Sequence, residues 1–209
     1  MSSTLHVIFG PSGAGKTTYA HAFARREKAV AFILDEWMAR LFAPDMPEKI
    51  EYEWMLDRVA RCEAQIWSTA AGALAAGTSV ILDIGLMRRA DRARVREIAE
   101  ATGLPIQWHF VTASTEARRA RVAERNVVRG ENFAIEVTPE MFEFVEGVFE
   151  GPEPFELEGA VIIEGGLRAL RRVSFDVLIP ALLSFAPHNH SFFPPGRLRP
   201  RPVPGRTLT

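Results

Sequence analysis

The stretch VIFGPSGAGKTTYA, Val7–Ala20, constrains the fold of this chain more than any other part of the sequence. A short apolar run is followed by Gly10–Thr17, which satisfies the pattern G-x-x-x-x-G-K-[ST], and then by an amphipathic segment. Glycine lets the backbone adopt positive φ and approach an anion closely. Successive N–H groups at the start of a helix form a nest for phosphate. The stretch therefore predicts a strand, a phosphate-binding turn and a helix, in that order.

The pattern also assigns roles to the polar residues of the turn. Lys16 is expected to reach the β and γ phosphates of a nucleotide, and the Thr17 hydroxyl to bind Mg²⁺. The alternative is a glycine-rich turn that only caps a helix, but the strand before it and the helix after it are the context that nucleotide binding requires. ATP or GTP with Mg²⁺ is the predicted first reactant. The residues predicted to bind it are Gly10, Pro11, Ser12, Gly13, Ala14, Gly15, Lys16, Thr17 and Thr18.

Apolar runs alternate with longer helical patterns, which indicates an α/β fold. The runs are nearly continuous in apolar residues, as in strands covered on both faces. The predicted strands are Leu5–Phe9, Ala29–Leu34, Ser79–Asp83, Ile106–Val111 and Ala160–Glu164. The predicted helices are Lys16–Arg26, Glu48–Ala76, Ala90–Ala101 and Thr115–Arg129. This alternation favours a doubly wound parallel sheet with helices on both faces. Gly103 is expected to end one helix and Thr138, before Pro139, to cap another.

Composition narrows the class of protein. The chain has 209 residues, which predicts one domain with an appendage. Its formal net charge of -1 weighs against a nucleic-acid partner and against attraction to anionic membranes. The single cysteine, Cys62, excludes an intramolecular disulfide and is expected to be a small buried residue. The start of the chain does not resemble a signal peptide, and no apolar run approaches the ~20 residues of a membrane span. We expect a cytoplasmic protein with no obligate protein partner.

The C-terminal part differs in composition from the rest. Half of the 14 prolines fall in the last thirty residues, where no helical or strand period is visible. We expect residues 1–174 to form the nucleotide-binding domain and residues 175–209 to be a poorly ordered extension rich in proline and arginine. His188 and His190 lack the further ligands that a metal site needs.

Two acids are predicted at the carboxyl ends of strands, where open α/β sheets bind ligands. Asp83 closes its strand and is expected to hold Mg²⁺ or its water. Asp35 closes another, and it is either the cap of the following helix or the base that takes the proton of an acceptor hydroxyl. Glu36 is the neighbouring candidate.

Aromatic residues are dense just after Asp35, beginning with Trp37. They are either part of the core or the apolar wall of an acceptor pocket beside the base. On the second interpretation, Glu36 and Trp37 contact the acceptor.

Arginines are concentrated in the predicted helix that starts at Thr115. Arg121 and Arg125 are four residues apart and share a helix face. That face is either solvated or directed at the phosphoryl group in transfer, where one arginine can raise the rate by ~10³–10⁵. Arg89 follows Asp83 and is expected on the same side of the sheet.

Taken together, the loop and the segments LDEW, ILDIG, RRADR, RVAERN and FEGPEPFE resemble the AAA-type predicted-kinase family of small P-loop proteins. This group is similar to chloramphenicol phosphotransferase, the zeta toxins and the kinase domain of polynucleotide kinase. The resemblance implies the P-loop NTPase three-layer fold with strand order 2-3-1-4-5. It implies Asp35 as the base toward the acceptor, Arg121 and Arg125 on a lid helix, and Arg89 on the substrate side. Ile84 and Met87 depart from the aromatic residues frequent in relatives.

Three hypotheses for function follow. The first is an ATP-dependent kinase that phosphorylates a hydroxyl of a small molecule, such as a metabolite, nucleoside or antibiotic, with Lys16, Asp35, Arg121 and Arg125 as catalytic residues. The second is a kinase for nucleotides or for the 5′ ends of polynucleotides. The third is a non-catalytic module whose nucleotide state switches a partner.

Overall fold

A computed structural model describes residues 3–47, 51–128 and 136–165 of the chain. The predicted extension at 175–209 lies outside these ranges, and so do His188 and His190. None of the described helices combines the length and the apolar character needed to cross a bilayer.

Five parallel strands form one sheet in the order β2-β3-β1-β4-β5, which confirms the order implied by the family resemblance. Register is set by pairs such as Val7 with Leu82 and Val7 with Trp108 on either side of the central strand. The strands are β1 (Leu5–Phe9), β2 (Val30–Ile33), β3 (Val80–Asp83), β4 (Ile106–Thr112) and β5 (Val161–Glu164).

Seven helices and one short 3-10 turn (Ala43–Asp45) are described between and after the strands. The helices are α1 (Lys16–Glu27), α2 (Leu34–Phe42), α3 (Tyr52–Ala75), α4 (Arg89–Thr102), α5 (Thr115–Val128), α6 (Pro139–Val148) and α7 (Pro154–Leu157). Gly103 ends α4 with φ 65°, and the Thr138 side chain accepts a hydrogen bond from the Met141 N–H at the start of α6, so both predicted boundaries are confirmed.

Alternation of side chains along each strand produces two hydrophobic layers, one on each face of the sheet. On one face, Leu5 and Phe9 of β1 pack with Cys62 and Ile66 of α3. On the other, Ile8 packs with residues of α1. Cys62 is buried and free, as expected.

A buried ion pair between Arg92 and Glu156 connects α4 to α7. Arg92 and Glu156 are both almost fully buried, with Nε and Nη2 of Arg92 at 2.8 and 3.0 Å from the two carboxylate oxygens. Although burial opposes ionisation of Glu156, hydrogen bonds from Arg92 and from the Glu153 backbone N–H hold its pKa below the usual value. Because the guanidinium also lies over the Phe9 ring at 5.1 Å, the pair joins α4, α7 and the central strand.

Arg92→Leu should therefore lower the free energy of unfolding by about 3 kcal/mol, since it leaves a buried carboxylate without its main partner. Arg96, at 3.4 Å from Glu156, offsets part of the loss. Urea denaturation measures the effect. Arg119→Leu is the matched control because its pair with Glu143 is exposed, and it should cost less than about 1 kcal/mol. Equal losses in the two variants would contradict the structural role of Arg92.

A second polar cluster lies beneath α1. The Tyr19 hydroxyl is 2.8 Å from Nδ1 of His109, and Nε2 of His109 is 3.1 Å from Nδ1 of His6. Burial, reinforced by His6 and Arg26, lowers the pKa of His109 to about 3. Burial also lowers the pKa of His6. His109 is therefore neutral in the folded protein at physiological pH.

Acid should destabilise the protein through this cluster. A depressed histidine pKa stabilises the fold above the unfolded value of 6.5. That contribution declines as pH falls toward the folded value, by up to about 1.4 kcal/mol per pH unit for one proton. In His109→Gln, the free energy of unfolding should fall less between pH 7 and pH 5 than in the wild type, as measured by urea titrations across that window. Parallel curves would show that His109 is not the group responsible.

Candidate nucleotide and acceptor site

A cavity of about 640 Å³ opens at the carboxyl ends of β1, β2 and β3. It is lined by the turn between β1 and α1, by Asp35 and Asp83, and by one face of α5. Six predicted catalytic or metal-binding residues meet here: Lys16, Thr17, Asp35, Asp83, and Arg121 and Arg125 from α5. Parallel strands whose carboxyl ends share one edge explain why residues distant in sequence converge at this point.

The turn is positioned by close approach of its backbone to β4 and α5. A Cβ at Gly10, where φ is 147°, would lie 1.9 Å from the Val111 carbonyl oxygen. A Cβ at Gly13, where φ is 74°, would lie 2.8 Å from the Arg118 carbonyl oxygen. Only glycine fits at these positions, because both the dihedral angle and the space exclude a side chain.

Thr17 and Asp83 form the part of the site suited to a metal. The Thr17 hydroxyl donates to Oδ2 of Asp83 at 3.0 Å. Burial raises the pKa of Asp83 to about 6, opposed by Lys16 and by the Thr17 hydrogen bond, with Asp35 and Glu36 adding to the rise. A nearby cation would therefore stabilise the charged form of Asp83.

These oxygen donors fit Mg²⁺. The ion prefers oxygen ligands and is commonly held by one or two protein groups together with phosphate oxygens and water. Within the described ranges, no group of three or more His, Cys, Asp or Glu side chains is arranged to hold a metal by itself. Thr17 and Asp83 would therefore hold Mg²⁺ only with a nucleotide in place, where the ion would neutralise phosphate charge.

Asp35 lies in the first turn of α2 and lines the same cavity. The cap position of that helix is Ile33, because β2 ends one residue earlier than predicted and the helix begins at Leu34. The interpretation of Asp35 as helix cap is therefore wrong. The negative charge of Asp35 raises the pKa of Asp83, so the two carboxylates interact electrostatically across the cavity.

Arg118 is a structural residue rather than a phosphate ligand. It is buried, and its guanidinium donates to the Ser12 carbonyl oxygen at 3.2 Å and to both carboxylate oxygens of Glu146. Arg118 therefore joins the turn, α5 and α6.

Arg121 and Arg125 both line the cavity. Arg121 donates to the carbonyl oxygens of Ala14 at 3.3 Å and Gly165 at 2.9 Å. The Nε of Arg125 is buried and has no hydrogen-bond partner among the described residues. A buried guanidinium N–H without an acceptor is an expected feature of a site that takes a phosphate oxygen.

The three residues predicted to contact the acceptor lie elsewhere. Glu36 bonds to His21 on α1. Trp37 packs against the core, with its ring 6.1 Å from that of Phe32. Arg89 donates to Oε1 of Glu153 at 2.6 Å. None of the three lines either of the two cavities described here, and their contact with an acceptor stays a prediction.

A second cavity of about 260 Å³ lies between α3 and α4. It shares Gly85 and Met87 with the larger cavity, so the two spaces meet at the segment after β3. Sequence reasoning missed its residues, because Glu63 and Trp67 of α3 read as part of an ordinary amphipathic helix. The period of α3 identifies its buried face, but it does not show that α4 leaves a space opposite.

Comparison with known proteins was consistent with this architecture. A family model described as AAA domain matches residues 5–152 of the chain. No curated protein matches the sequence.

Three solved structures share the fold at low identity. A candidate kinase from Chloroflexus aurantiacus is 18% identical, with a TM-score of 0.62, over 80% of this chain and 91% of its own. Kti12 from Chaetomium thermophilum, solved with ADP-AlF3, is 16% identical, with a TM-score of 0.56, over 78% of this chain and 89% of its own. The APS kinase CysC of Mycobacterium tuberculosis, solved with AMPPNP and APS, is 13% identical, with a TM-score of 0.52, over 79% and 89%.

Gly13→Ala should distort the turn for two reasons, the positive φ of 74° and the lack of space for a methyl group. The added methyl group meets the Arg118 carbonyl oxygen, so the turn must shift and ATP affinity should fall by about tenfold or more, which is 1.4 kcal/mol of binding free energy. A fluorescent ATP analogue measures the affinity. Gly77→Ala is the matched control, because Gly77 has φ 81° and nothing within 4 Å of an added Cβ. Gly77→Ala should cost about 1–2 kcal/mol of stability and leave ATP affinity unchanged. Unchanged affinity in Gly13→Ala would contradict the positioning argument.

Proposed function

The chain belongs to the AAA domain family of nucleotide-binding P-loop proteins, and on that premise we propose that it is an ATP-dependent kinase that phosphorylates a hydroxyl of a small molecule. The observation that carries the proposal is the convergence of Asp35, Asp83, Lys16 and Arg125 on one cavity. Kinase chemistry needs a phosphate cradle, a cation site, a base and positive charge near the moving phosphoryl group. The cavity supplies residues of the right type for all four.

Each group has a defined task in the proposed reaction. The turn and Lys16 hold the β and γ phosphates of ATP, and Thr17 with Asp83 binds Mg²⁺. Asp35 accepts the proton of the acceptor hydroxyl as its oxygen attacks the γ-phosphorus. The bond to the β–γ bridging oxygen breaks, and ADP leaves. Arg121 and Arg125 stabilise the charge on the γ-phosphoryl oxygens during transfer.

The size of the second cavity supports a small acceptor. At about 260 Å³, it lies just below the ~300–1,000 Å³ typical of sites for drug-sized ligands. The net charge of -1 gives the chain no overall electrostatic attraction to a polynucleotide. A small molecule is therefore favoured over the 5′ end of a nucleic acid.

Asp35→Asn tests the proposed base. Asparagine preserves the shape of the side chain but cannot accept the proton, so phosphotransfer should fall by about 10²–10⁴-fold, while ATP affinity stays within about threefold of the wild type. Acceptor-stimulated ADP release and binding of a fluorescent ATP analogue measure the two quantities. Full activity in Asp35→Asn with every acceptor found would reject the assignment.

Two further variants complete the test. Glu36→Gln should lower turnover less than tenfold, because Glu36 bonds to His21 and does not line the cavity. Lys16→Ala should abolish nucleotide binding. ATP binding that depends on Lys16, without ADP release from any alcohol, would instead favour a nucleotide-dependent switch.

A further inference from the structure

The cavity between α3 and α4 has the position that an acceptor site requires. It meets the nucleotide cavity at Gly85 and Met87, and Gly85 carries no side chain to separate the two spaces. A molecule in the smaller cavity can therefore present one end to the cavity that contains Asp35. This placement comes from the described geometry and does not involve Glu36, Trp37 or Arg89.

The walls of this cavity are mainly apolar. Val59 and Trp67 of α3 face Val95 and Ile98 of α4, and Ile84 closes the side next to the sheet. Apolar side chains of this kind favour a ligand with an apolar body, because its burial removes hydrocarbon surface from water on both partners.

One carboxylate in this mainly apolar cavity, that of Glu63, has lost solvation by water without gaining a hydrogen-bonded partner among the described residues. Glu63 is half-buried and makes no hydrogen bond or ion pair with any residue in the described part of the chain. Burial raises the pKa of Glu63 to about 7, with Asp91 adding to the rise and Arg94 opposing it. A cation from outside would replace the solvation that the Glu63 carboxylate has lost.

Two other charged residues of the cavity, Asp91 and Arg94, interact within the fold. The Asp91 carboxylate accepts a hydrogen bond from the Arg88 backbone N–H at 3.1 Å, which caps α4. Arg94 interacts with other groups of the chain. Glu63 is therefore the acidic residue of this cavity best suited to bind a cation.

We propose that the cavity between α3 and α4 binds the phosphate acceptor and that Glu63 selects an amino alcohol, a molecule with an apolar body, a hydroxyl and a protonated amine. The inference rests on the proposed kinase activity. The amine keeps its proton and serves only in binding to Glu63. The hydroxyl at the other end loses its proton to Asp35 as it takes the γ-phosphoryl group, and ADP is the leaving group.

Three alcohols that differ in one group provide the test. The probes are 4-(aminomethyl)benzyl alcohol, 4-ethylbenzyl alcohol and 4-(hydroxymethyl)phenylacetate, which share a benzene ring and a hydroxymethyl group but carry an amine, a methyl group and a carboxylate at the opposite end. ADP release with ATP and Mg²⁺ gives kcat/KM for each. The wild type should favour the amine over the neutral alcohol by about 10- to 100-fold, the range expected of a hydrogen-bonded charge. A preference for the neutral or the acidic alcohol would overturn the inference.

Glu63→Gln isolates the proposed selection. It should reduce the preference for the amine to within about threefold. Glu97→Gln, at an exposed position of α4 outside the cavity, should keep the full preference. Because glutamine has the shape of glutamate and removes a half-buried charge, Glu63→Gln should fold at least as stably, which thermal denaturation checks. An amine preference that survives in Glu63→Gln would refute the role of Glu63.

A binding measurement separates failure of this inference from failure of the proposed activity. Quenching of tryptophan fluorescence by 4-(aminomethyl)benzyl alcohol reports binding beside Trp67, and Trp67→Phe identifies that signal. Binding that requires Glu63, without ADP release from any alcohol, would support the cavity assignment and reject the kinase. ADP release that is indifferent to the amine would support the kinase and reject the amine selection. Neither binding nor release with the three probes would overturn the inference.

Discussion

The rest of the structure depends on how closely the backbone of the phosphate-binding turn lies against its neighbours. At Gly10 and Gly13 the turn approaches carbonyl groups of β4 and α5 so closely that no side chain fits. The turn is thus fixed from its outer side before any ligand contacts its inner side. Such prior fixing is valuable in an anion site, because N–H groups that are already oriented need little reorganisation when phosphate binds.

Side chains of α5 align the elements that surround the turn. Arg118 donates a hydrogen bond to the Ser12 carbonyl oxygen and pairs with Glu146, which fixes the position of α6 relative to the turn. Arg121 donates hydrogen bonds to the Ala14 and Gly165 carbonyl oxygens, which connects the turn to the residue that follows β5. Asn126 bonds to both the N–H and the carbonyl oxygen of Val137 and connects the end of α5 to the segment before α6. One arginine-rich helix therefore combines two features: some of its side chains align the fold, while Arg125, which lines the cavity, has a buried Nε without a partner among the described residues.

Local patterns in the sequence predicted the features that depend on local physics. The strands, the turn, the Gly103 helix end, the Thr138 cap and the burial of Cys62 are examples. The strand order came only from the resemblance to a family, because period and composition do not specify which strands pair. The spacing of three residues between Arg118 and Arg121 is typical of one helix face, but it cannot show that Arg118 is buried, since its partner Glu146 is 28 residues away. Similarly, the aromatic segment that begins at Trp37 packs on the core, whereas the cavity beside α4 depends on the separation of two helices.

The pair formed by Arg92 and Glu156 also has a consequence for the evolution of this chain. Loss of either partner alone would cost a large part of the ~5–15 kcal/mol by which domains of this size are stable. Replacement of both by apolar residues of similar volume can be close to neutral. Sequence change at positions 92 and 156 must then pass through an intermediate that folds poorly. Related chains should retain both charges or neither, so the two positions should vary together although 64 residues separate them.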